Sequence, residues 1–314
     1  MNVNEMSKLK EQASCFTKVF EVKGRYVNDH CFFMEGKTVH LFYIDGEAGK
    51  GCYDLGNEII IGHAISEDLI HWREVSPALI RDDRFSHEER GIFAPYVVSH
   101  ENRYYMYYSS HNMAGAQFMC LAISSDLHRF ERYEGNPLFV PRGEYAFWSS
   151  QVPCSCRDPH VFRDPISHDY LMYWVCDMKE AKDESCISLS RSSDLFSWTE
   201  TSPVLVRKHS FDEAYTMKAE SPCLIKHHGL YYLFYRHGNG TKYVVSDDYT
   251  SFTDSKEVLL GPSHASEIFL YNNEWYISSC SREPADIEHK TDRHHGLYLA
   301  RLSFETLTPS IIPF

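Results

Sequence analysis

The sequence has 314 residues, 43% of them hydrophobic, and a formal net charge of −13 at pH 7. This charge argues against nucleic acid and anionic membranes as partners, and no apolar run approaches the ~20 residues that a membrane span needs. The first dozen residues are polar and lack the apolar region of a signal peptide, so we expect a cytoplasmic protein.

The ten cysteines are scattered, and only Cys154 and Cys156 lie close together in the sequence. No cysteine or histidine quartet has the spacing of a zinc site. We therefore expect reduced, mostly buried thiols. We predict no cofactor and no metal site.

The first part of the chain predicts one helical turn and then a series of strands. Residues 28–33 and 39–43 are rich in aromatic side chains and flank a tight turn at Gly36, as in a β-hairpin. A third strand is predicted at residues 59–64. Residues 67–72 form a turn that leads an aromatic side chain into a fourth, outer strand.

This order of elements recurs four more times, with Ser-Asp-Leu turns at residues 125–127 and 193–195. Five passes of about four strands predict an all-β protein, a five-bladed β-propeller with four antiparallel strands per blade. The predicted blades cover residues 26–80, 91–140, 156–206, 219–260 and 264–302. A β-sandwich or barrel is the alternative, but the repeated order would then be accidental.

No linker divides the chain, so we predict a single catalytic domain over residues 1–314, without a C-terminal β-sandwich. The stretch after residue 302 is expected to return to the first blade and supply a closing strand. The Ser-Asp-Leu turns are predicted to be structural, because they fall at the outer edge of the blades.

The first strand of each propeller blade lines the central channel, so the residues that begin these strands should meet at one mouth. They are Asp29, Ala94 with Pro95, Asp158, Glu220, and Ser266 with Glu267. Three of the five blades thus begin with a carboxylate, at what we take to be equivalent positions. We predict that these three acids converge on one site.

Three acids in one cleft repel one another, so at least one pKa should rise. Such a separation of pKa values suits acid/base hydrolysis of a glycosidic bond. A single acid is more often a strand cap or an ion-pair partner, and the clustering favours a site. Asp158 follows Arg157 and should stay ionised, whereas the repeat Arg163-Asp164-Pro165 indicates a plain turn.

Several motifs resemble glycoside hydrolase family 32, the invertase and fructanase family. The similar segments are Asn28-Asp29 before a Phe-Phe strand, residues 62–72, Arg157-Asp158-Pro159 and Glu220-Ser221-Pro222. Phe93-Ala94-Pro95 and Glu220-Ser221-Pro222 are also similar to motifs of family 43, the arabinanases and xylosidases. The resemblance extends from about residue 26 to residue 302.

The resemblance implies a nucleophile or general base at Asp29, a transition-state stabiliser at Asp158 and a general acid at Glu220. It implies that Arg157 grips sugar hydroxyls together with Asp158. The chain lacks the serine-rich motif of family 32 in its second blade. Asp29 is followed by His30, whereas family 32 has Pro and Asn after this acid. Retaining and inverting chemistry both remain open.

Further substrate-binding candidates are Asn28, His30, Phe93, His63, Trp148 and Glu267. His63 is alternatively a hydrogen-bonded core residue, and Trp148 a packed loop aromatic. A metal near Glu267 is not expected, because hard cations need several oxygen ligands.

We rank a β-fructosidase-like hydrolase first and an arabinofuranosidase or xylosidase second, each acting on a mono- or oligosaccharide. A glycoside phosphorylase would need a phosphate pocket, for which Arg236, His237 and Arg282 are candidates. A non-catalytic carbohydrate-binding propeller would not need Glu220. The sequence does not indicate the oligomeric state.

Overall fold

The structure, a computed structural model, describes residues 3–52, 54–211, 216–238, 240–252, 255–280 and 296–314. Among these residues, no helix has both the length and the apolar character required to cross a membrane. Nearly all regular structure is β, which confirms the predicted five-bladed propeller.

The N-terminal segment forms helix α1 (Val3–Ala13) and strand β1 (Thr17–Phe20). Blade 1 comprises β2 (Arg25–Glu35), β3 (Thr38–Glu47), β4 (Ile60–Ser66), β5 (Arg73–Glu74) and β6 (Leu79–Ile80). Blade 2 comprises β7 (Gly91–His100), β8 (Arg103–His111), β9 (Gln117–Ser124) and β10 (Glu131–Arg132).

Blade 3 comprises β11 (Ala146–Phe147), β12 (Cys156–Arg163), β13 (Tyr170–Met178), β14 (Glu184–Ser192) and β15 (Thr199–Lys208). The small hairpin β16 (Ser210–Phe211) and β17 (Thr216–Met217) follows. Blade 4 comprises β18 (Glu220–His227), β19 (Leu230–His237), β20 (Gly240–Ser246) and β21 (Val258–Gly261). Blade 5 comprises β22 (Ile268–Tyr271), β23 (Glu274–Ser279), β24 (Leu297–Ser303) and β25 (Ser310–Ile312), together with β1.

The ring is closed by the N-terminal strand, which corrects one prediction. Strand β1 pairs antiparallel with β24 and so becomes part of blade 5. The C-terminal strand β25 also pairs with β24 and does not return to blade 1. The short run Thr17–Phe20 has only one strongly buried position, so its sequence alone did not indicate which edge it would complete.

Helix α1 is longer than the single turn that the sequence predicted. It covers 11 residues, and its side chains Leu9 and Ala13 are buried. The amide of Gln12 donates a hydrogen bond to the carbonyl of Leu260 in blade 4. Tertiary packing therefore stabilises a helix that is too short to persist alone.

The Ser-Asp-Leu turns are structural, as predicted, and close the outer part of three blades. In the first of them, the Ser66 hydroxyl accepts a hydrogen bond from Leu69 N–H at 3.0 Å, and Asp68 Oδ1 accepts one from His71 N–H at 2.7 Å. The leucine adopts a positive φ and is buried in all three turns, at Leu69, Leu127 and Leu195. These side-chain hydrogen bonds satisfy the backbone of a sharp corner.

Adjacent blades pack face to face through aromatic and branched side chains. Leu171 and Tyr173 of blade 3 belong to one buried cluster with Leu224 and Leu233 of blade 4. Burying each such side chain contributes about 1.5–3 kcal/mol. This packing holds the first strands of the blades in place around the channel.

A β-bulge near the start of the first strand occurs in blades 1 to 4. In blades 2, 3 and 4 the bulged residue has a positive φ, 48° at Ala94, 56° at Asp158 and 52° at Ser221, and a proline follows it. Bulges turn side chains away from the regular alternation of a strand and are frequent next to active sites. Here they point the strand ends towards the mouth of the channel.

Candidate active site

The bulged strand ends surround a cleft with an empty volume of about 290 Å³. All five blades contribute to its lining, which consists of Asp29, His30, Ala94, Pro95, Asp158, Pro159, Ser221, Pro222, Ala265 and Glu267. Two of the three predicted acids, Asp29 and Asp158, line the cleft directly.

Glu220 lies beside this cleft and is held by two arginines. Its Oε1 accepts a hydrogen bond from Arg236 Nη1 at 2.5 Å, and its Oε2 accepts one from Arg157 Nη2 at 3.0 Å. Burial alone would raise the pKa of Glu220, but the charges of Arg236 and Arg157 lower it to about 2. Glu220 is therefore a carboxylate in the absence of a ligand.

The three acids do not occupy equivalent positions, contrary to the prediction. In the strand registers, Glu220 pairs with Arg236 just before the bulge, and Arg157 pairs with Val175 at the same point of blade 3. Glu220 is thus the counterpart of Arg157, and Ser221 is the counterpart of Asp158. The bulges allow consecutive backbone positions of different blades to face the same centre.

Asp158 is buried, and its charge is only partly compensated. Its Oδ2 accepts a hydrogen bond from Ser221 N–H at 3.0 Å and lies 3.4 Å from Arg157 Nε. Its Oδ1 is buried and has no hydrogen-bond partner among the described residues. Burial raises the pKa of Asp158 to about 6 against the lowering effect of Arg157, a value at which the carboxyl is still mostly ionised at pH 7, as expected.

Asp29 has the most strongly perturbed environment of the three acids. Burial raises its pKa well above the usual range, and the negative charges of Asp158 and Glu220 raise it further. This agrees with the expectation that at least one pKa in a cluster of acids rises. The pKa values of Asp29 and Glu220 are therefore shifted in opposite directions.

A polar network that sequence reasoning missed supports the arginine side of the cleft. Ser155 Oγ accepts hydrogen bonds from Arg157 Nη1 at 2.7 Å and from Lys218 Nζ at 3.0 Å. Lys218 also pairs with Asp177. Of these residues only Arg157 belongs to a recognisable motif, because the others meet it only through the packing of neighbouring strands.

Asn28 and His30 lie on either side of Asp29. Asn28 Nδ2 donates a hydrogen bond to Glu58 Oε1 at 3.0 Å, and Tyr26 OH donates to the same oxygen at 2.8 Å. His30 lines the cleft, and its Nε2 lies 2.8 Å from Ser278 Oγ in blade 5. Both residues therefore support the position of Asp29.

Two further candidates, His63 and Trp148, do not line the cleft. His63 is fully buried, lies 2.9 Å from His40 Nδ1 and stacks on Phe42, so its prediction as a sugar-binding residue is wrong. Trp148 donates a hydrogen bond to the Gln117 carbonyl at 2.8 Å and packs edge-on against Phe118. These contacts favour the second interpretation of Trp148, a packed loop aromatic, over a sugar-binding residue.

Phe93 and Glu267 differ in their access to the cleft. Phe93 is buried and packs against the ring of His111. Glu267 lines the cleft, and burial raises its pKa to about 8.

Of the two phosphate-pocket candidates that the structure describes, one lies near the acids. Arg236 pairs with Glu220, whereas His237 bonds to Glu257 and to the Lys208 carbonyl. Arg282 lies outside the described residues. The arrangement thus contains one of the cations that a phosphorylase would need.

Comparison with known proteins places this arrangement in a family. Residues 20–224 match the glycosyl hydrolases family 32 N-terminal domain. The chain belongs to this family. Its relatives include the raffinose invertase of Escherichia coli, 28% identical over 145 residues, which are 44% of this chain and 27% of the relative. The matched part of this family 32 chain thus spans about a quarter of that relative.

Solved structures of two families share the fold. A family 32 β-fructofuranosidase from Bombyx mori superposes with a TM-score of 0.69 at 19% identity, covering 100% of this chain and 70% of the other. A thermostable family 43 glycoside hydrolase gives a TM-score of 0.67 at 19% identity, covering 94% of this chain and 96% of the other. At this identity, the likeness concerns the fold alone.

Proposed function

We propose that this chain hydrolyses a glycosidic bond of a small saccharide, with a β-fructosidase-like activity first. The observation that carries the proposal is the convergence of Asp29, Asp158 and Glu220 from three blades around one cleft. Membership of family 32 and the fructoside-cleaving relatives support this choice of sugar. The substrate is accordingly a mono- or oligosaccharide with a terminal furanoside.

In the proposed mechanism each acid has one role. Asp29 attacks the anomeric carbon or activates a water molecule, and Glu220 protonates the leaving oxygen. Asp158 stabilises the positive charge that develops on the sugar ring, and Arg157 aligns Asp158 with Glu220. The side chains Asn28, His30 and Glu267 contribute to binding the sugar.

The mechanism requires one proton to move. The proposed roles need an ionised Asp29 and a protonated Glu220, whereas the pKa shifts of the two groups favour the reverse. The pKa of Asp29 is raised and that of Glu220 is lowered in the absence of sugar. We propose that a bound sugar weakens the contact between Arg236 and Glu220, so that Glu220 takes up the proton that Asp29 releases. The total charge of the group stays the same in this exchange.

The decisive experiment compares two leaving groups in the variants Glu220→Gln and Asp29→Asn. Glu220→Gln should lose about 10²–10⁴-fold in turnover of sucrose or raffinose, whose leaving groups need protonation. It should lose far less with an aryl fructoside that has an acidic leaving group. Asp29→Asn should lose activity on both kinds of substrate, because its role does not depend on the leaving group.

A matched control is Glu257→Gln, since Glu257 is also a half-buried acid that is paired with an arginine and a lysine, outside the cleft. This variant should keep its turnover. Equal losses on both leaving groups in Glu220→Gln would remove Glu220 as the acid. The configuration of the first product, followed by NMR, distinguishes retention from inversion.

An arabinofuranosidase or xylosidase activity is the second candidate. It is supported by a structural neighbour of family 43 that matches this chain over 96% of its own length, whereas the family 32 neighbour extends further. Aryl arabinofuranosides and xylosides belong in the same substrate panel. Turnover that depends on inorganic phosphate would favour a phosphorylase, and binding without turnover a carbohydrate-binding propeller.

We further propose a cytoplasmic location and a single catalytic domain, without nucleic acid or membrane partners. Cys31, Cys120, Cys156 and Cys223 are buried thiols without a disulfide, as is usual in a reducing compartment. Fractionation of cells that produce the tagged chain tests the location.

A further inference from the structure

The floor of the cleft contains a cluster of side chains that the proposed hydrolysis does not use as a group. His160 from β12, Cys223 from β18 and Glu267 just before β22 come from three consecutive blades. One donor atom of each residue lies within 4.8 Å of those of the other two. His160 and Cys223 are buried, and Glu267 connects the cluster to the cleft.

His160 has one ring nitrogen available for a ligand. Its Nε2 lies 3.1 Å from the carbonyl oxygen of Leu224, and it is also within 3.1 Å of the Leu224 N–H, which donates to Nε2 when that nitrogen carries no hydrogen. When Nε2 carries the hydrogen it donates to the carbonyl, and Nδ1 then keeps a free lone pair. His160 is only 5% exposed, and its buried Nδ1 has no hydrogen-bond partner among the described residues. In the tautomer with the hydrogen on Nε2, the Leu224 carbonyl supports the ring as a backbone carbonyl supports a metal-binding histidine.

Cys223 and Glu267 already approach each other as two ligands of one ion would. Cys223 Sγ lies 3.8 Å from Glu267 Oε2. Two ligands of a tetrahedral zinc ion, with bonds of about 2.0–2.3 Å, stand roughly 3.4–3.7 Å apart. Small side-chain movements therefore suffice to bring both atoms to bonding distance.

Burial makes this cluster costly without a cation. It raises the pKa of Glu267 to about 8 and that of Cys223 well above its usual value. The hydrogen bond from Cys223 offsets only a part of the shift at Glu267. A bound divalent cation would provide the missing positive charge and displace both protons to solvent.

We propose that His160, Cys223 and Glu267 bind a borderline transition-metal cation of the Zn²⁺ class. The set of one nitrogen, one sulfur and one oxygen donor suits Zn²⁺ or Co²⁺. It does not suit Ca²⁺, which takes six to eight oxygen ligands. Our sequence expectation of no metal rested on ligand spacing along the chain and on the needs of hard cations, and so overlooked donors that separate blades bring together.

The position of the cluster indicates how the ion enters and which property of the protein it changes. Glu267 lines the same cleft as Asp29, so the cleft is the entry path and leaves a fourth ligand position for water. The ion joins blades 3, 4 and 5 at the axis of the ring. Its main effect is therefore to stabilise the ring, with a secondary effect on the charge of the cleft.

A second set of possible ligands makes the test sharper. Asp29, His264 and Cys280 also bring donor atoms within 4.8 Å of one another. Binding there would occupy the proposed nucleophile and inhibit hydrolysis. The two sets each contain one cysteine, so cysteine variants distinguish them.

The experiment uses the full chain, freed of metal by a chelator, with Co²⁺ as the probe. We expect one equivalent of Co²⁺ to produce the absorption band of a cobalt–thiolate bond, and Zn²⁺ to displace it. Zn²⁺ should raise the thermal unfolding midpoint, whereas Ca²⁺ should leave it unchanged. Cys223→Ser should lose the band, and Cys280→Ser and the control Cys120→Ser should keep it.

The absence of a band in the unaltered chain, its persistence in Cys223→Ser or its loss in Cys280→Ser would overturn the proposal. Circular dichroism of the metal-free variants establishes that they are folded. If Cys223→Ser does not fold, Glu267→Gln and His160→Gln take its place. Each should keep the cobalt–thiolate band but bind Zn²⁺ at least roughly tenfold more weakly, and unchanged affinity in both contradicts the site.

Discussion

Two copies of the tripeptide Arg-Asp-Pro lie at the two ends of strand β12, and their acids have opposite properties. Asp158 at the channel end has a pKa raised to about 6. Asp164, just beyond the outer end, has a pKa well below its usual range. Both side chains have little exposed surface, but Asp158 lies deeper among the blades, and desolvation is the largest cause of its raised pKa.

The number and type of hydrogen-bond donors add to this difference in burial. Asp164 Oδ2 accepts from Arg191 Nη1 at 2.9 Å and from Tyr249 OH at 2.8 Å, and Oδ1 accepts from Ile166 N–H at 2.9 Å. These donors outweigh the effect of burial on the pKa of Asp164. Asp158 has fewer donors and one oxygen with no described partner.

The comparison separates an acid that stabilises the fold from an acid that is available for a ligand. A carboxylate with all its donors in place has no capacity left for a substrate. A buried carboxylate with an unpaired oxygen costs free energy, and such a cost persists at functional sites. The same tripeptide therefore has two different roles, and the contacts from neighbouring blades determine which role each copy has.

The largest effect that we expect is on turnover in Asp158→Asn. The substitution keeps the shape but removes the negative charge that faces the sugar, so kcat/KM should fall about 10²–10³-fold. Thermal unfolding should change little, because Asp158 accepts few hydrogen bonds. Initial rates and a melting curve measure both quantities. Full turnover in this variant would make Asp158 a structural residue like Asp164.

The paired substitution Asp164→Asn should give the reverse result. It removes the charge that holds Arg191 and Tyr249, and we expect a loss of about 1.5–3 kcal/mol in the free energy of unfolding. The kcat of the folded protein should stay unchanged. Urea denaturation gives the free energy, and a kcat reduced tenfold or more would contradict the separation of roles.

The smallest effect concerns the pH dependence of stability. Because the folded pKa of Asp164 is depressed, its stabilisation is present above the unfolded value of about 3.9 and is lost as the pH falls below it. Asp164→Asn should therefore differ most from the unaltered chain at neutral pH, and the difference should shrink towards pH 3. Urea denaturation at a series of pH values checks this, and a constant difference would assign the stabilisation to uncharged contacts.

Much of the fold could be predicted because it depends on local patterns. Alternating aromatic strands and Ser-Asp-Leu turns recur, and each turn is built from its own side chains. The ring closure could not be predicted in the same way. The partner of β1 is 280 residues away in the chain, and its four residues contain no signal for one edge over another.

The acids could be predicted, but their environment could not. Asp29, Asp158 and Glu220 occur in motifs, whereas the pairing of Glu220 with Arg236 depends on strand register. The three acids occupy different positions relative to the bulge of their own strand, which repeat counting does not detect. Histidine is a residue type that is common in active sites, but a neighbouring histidine and a phenylalanine enclose the ring of His63.

The closure of the ring by β1 also determines the order of events during biosynthesis. Strand β1 leaves the ribosome early, but its partner β24 ends at Ser303. At about 5–20 residues per second, β1 waits on the order of tens of seconds for its partner. Blades 1 to 4 can form while translation continues, and the last seam of the ring closes only after β24 has been synthesised. Until then β1 is a strand without its partner, open to pairing with other nascent chains.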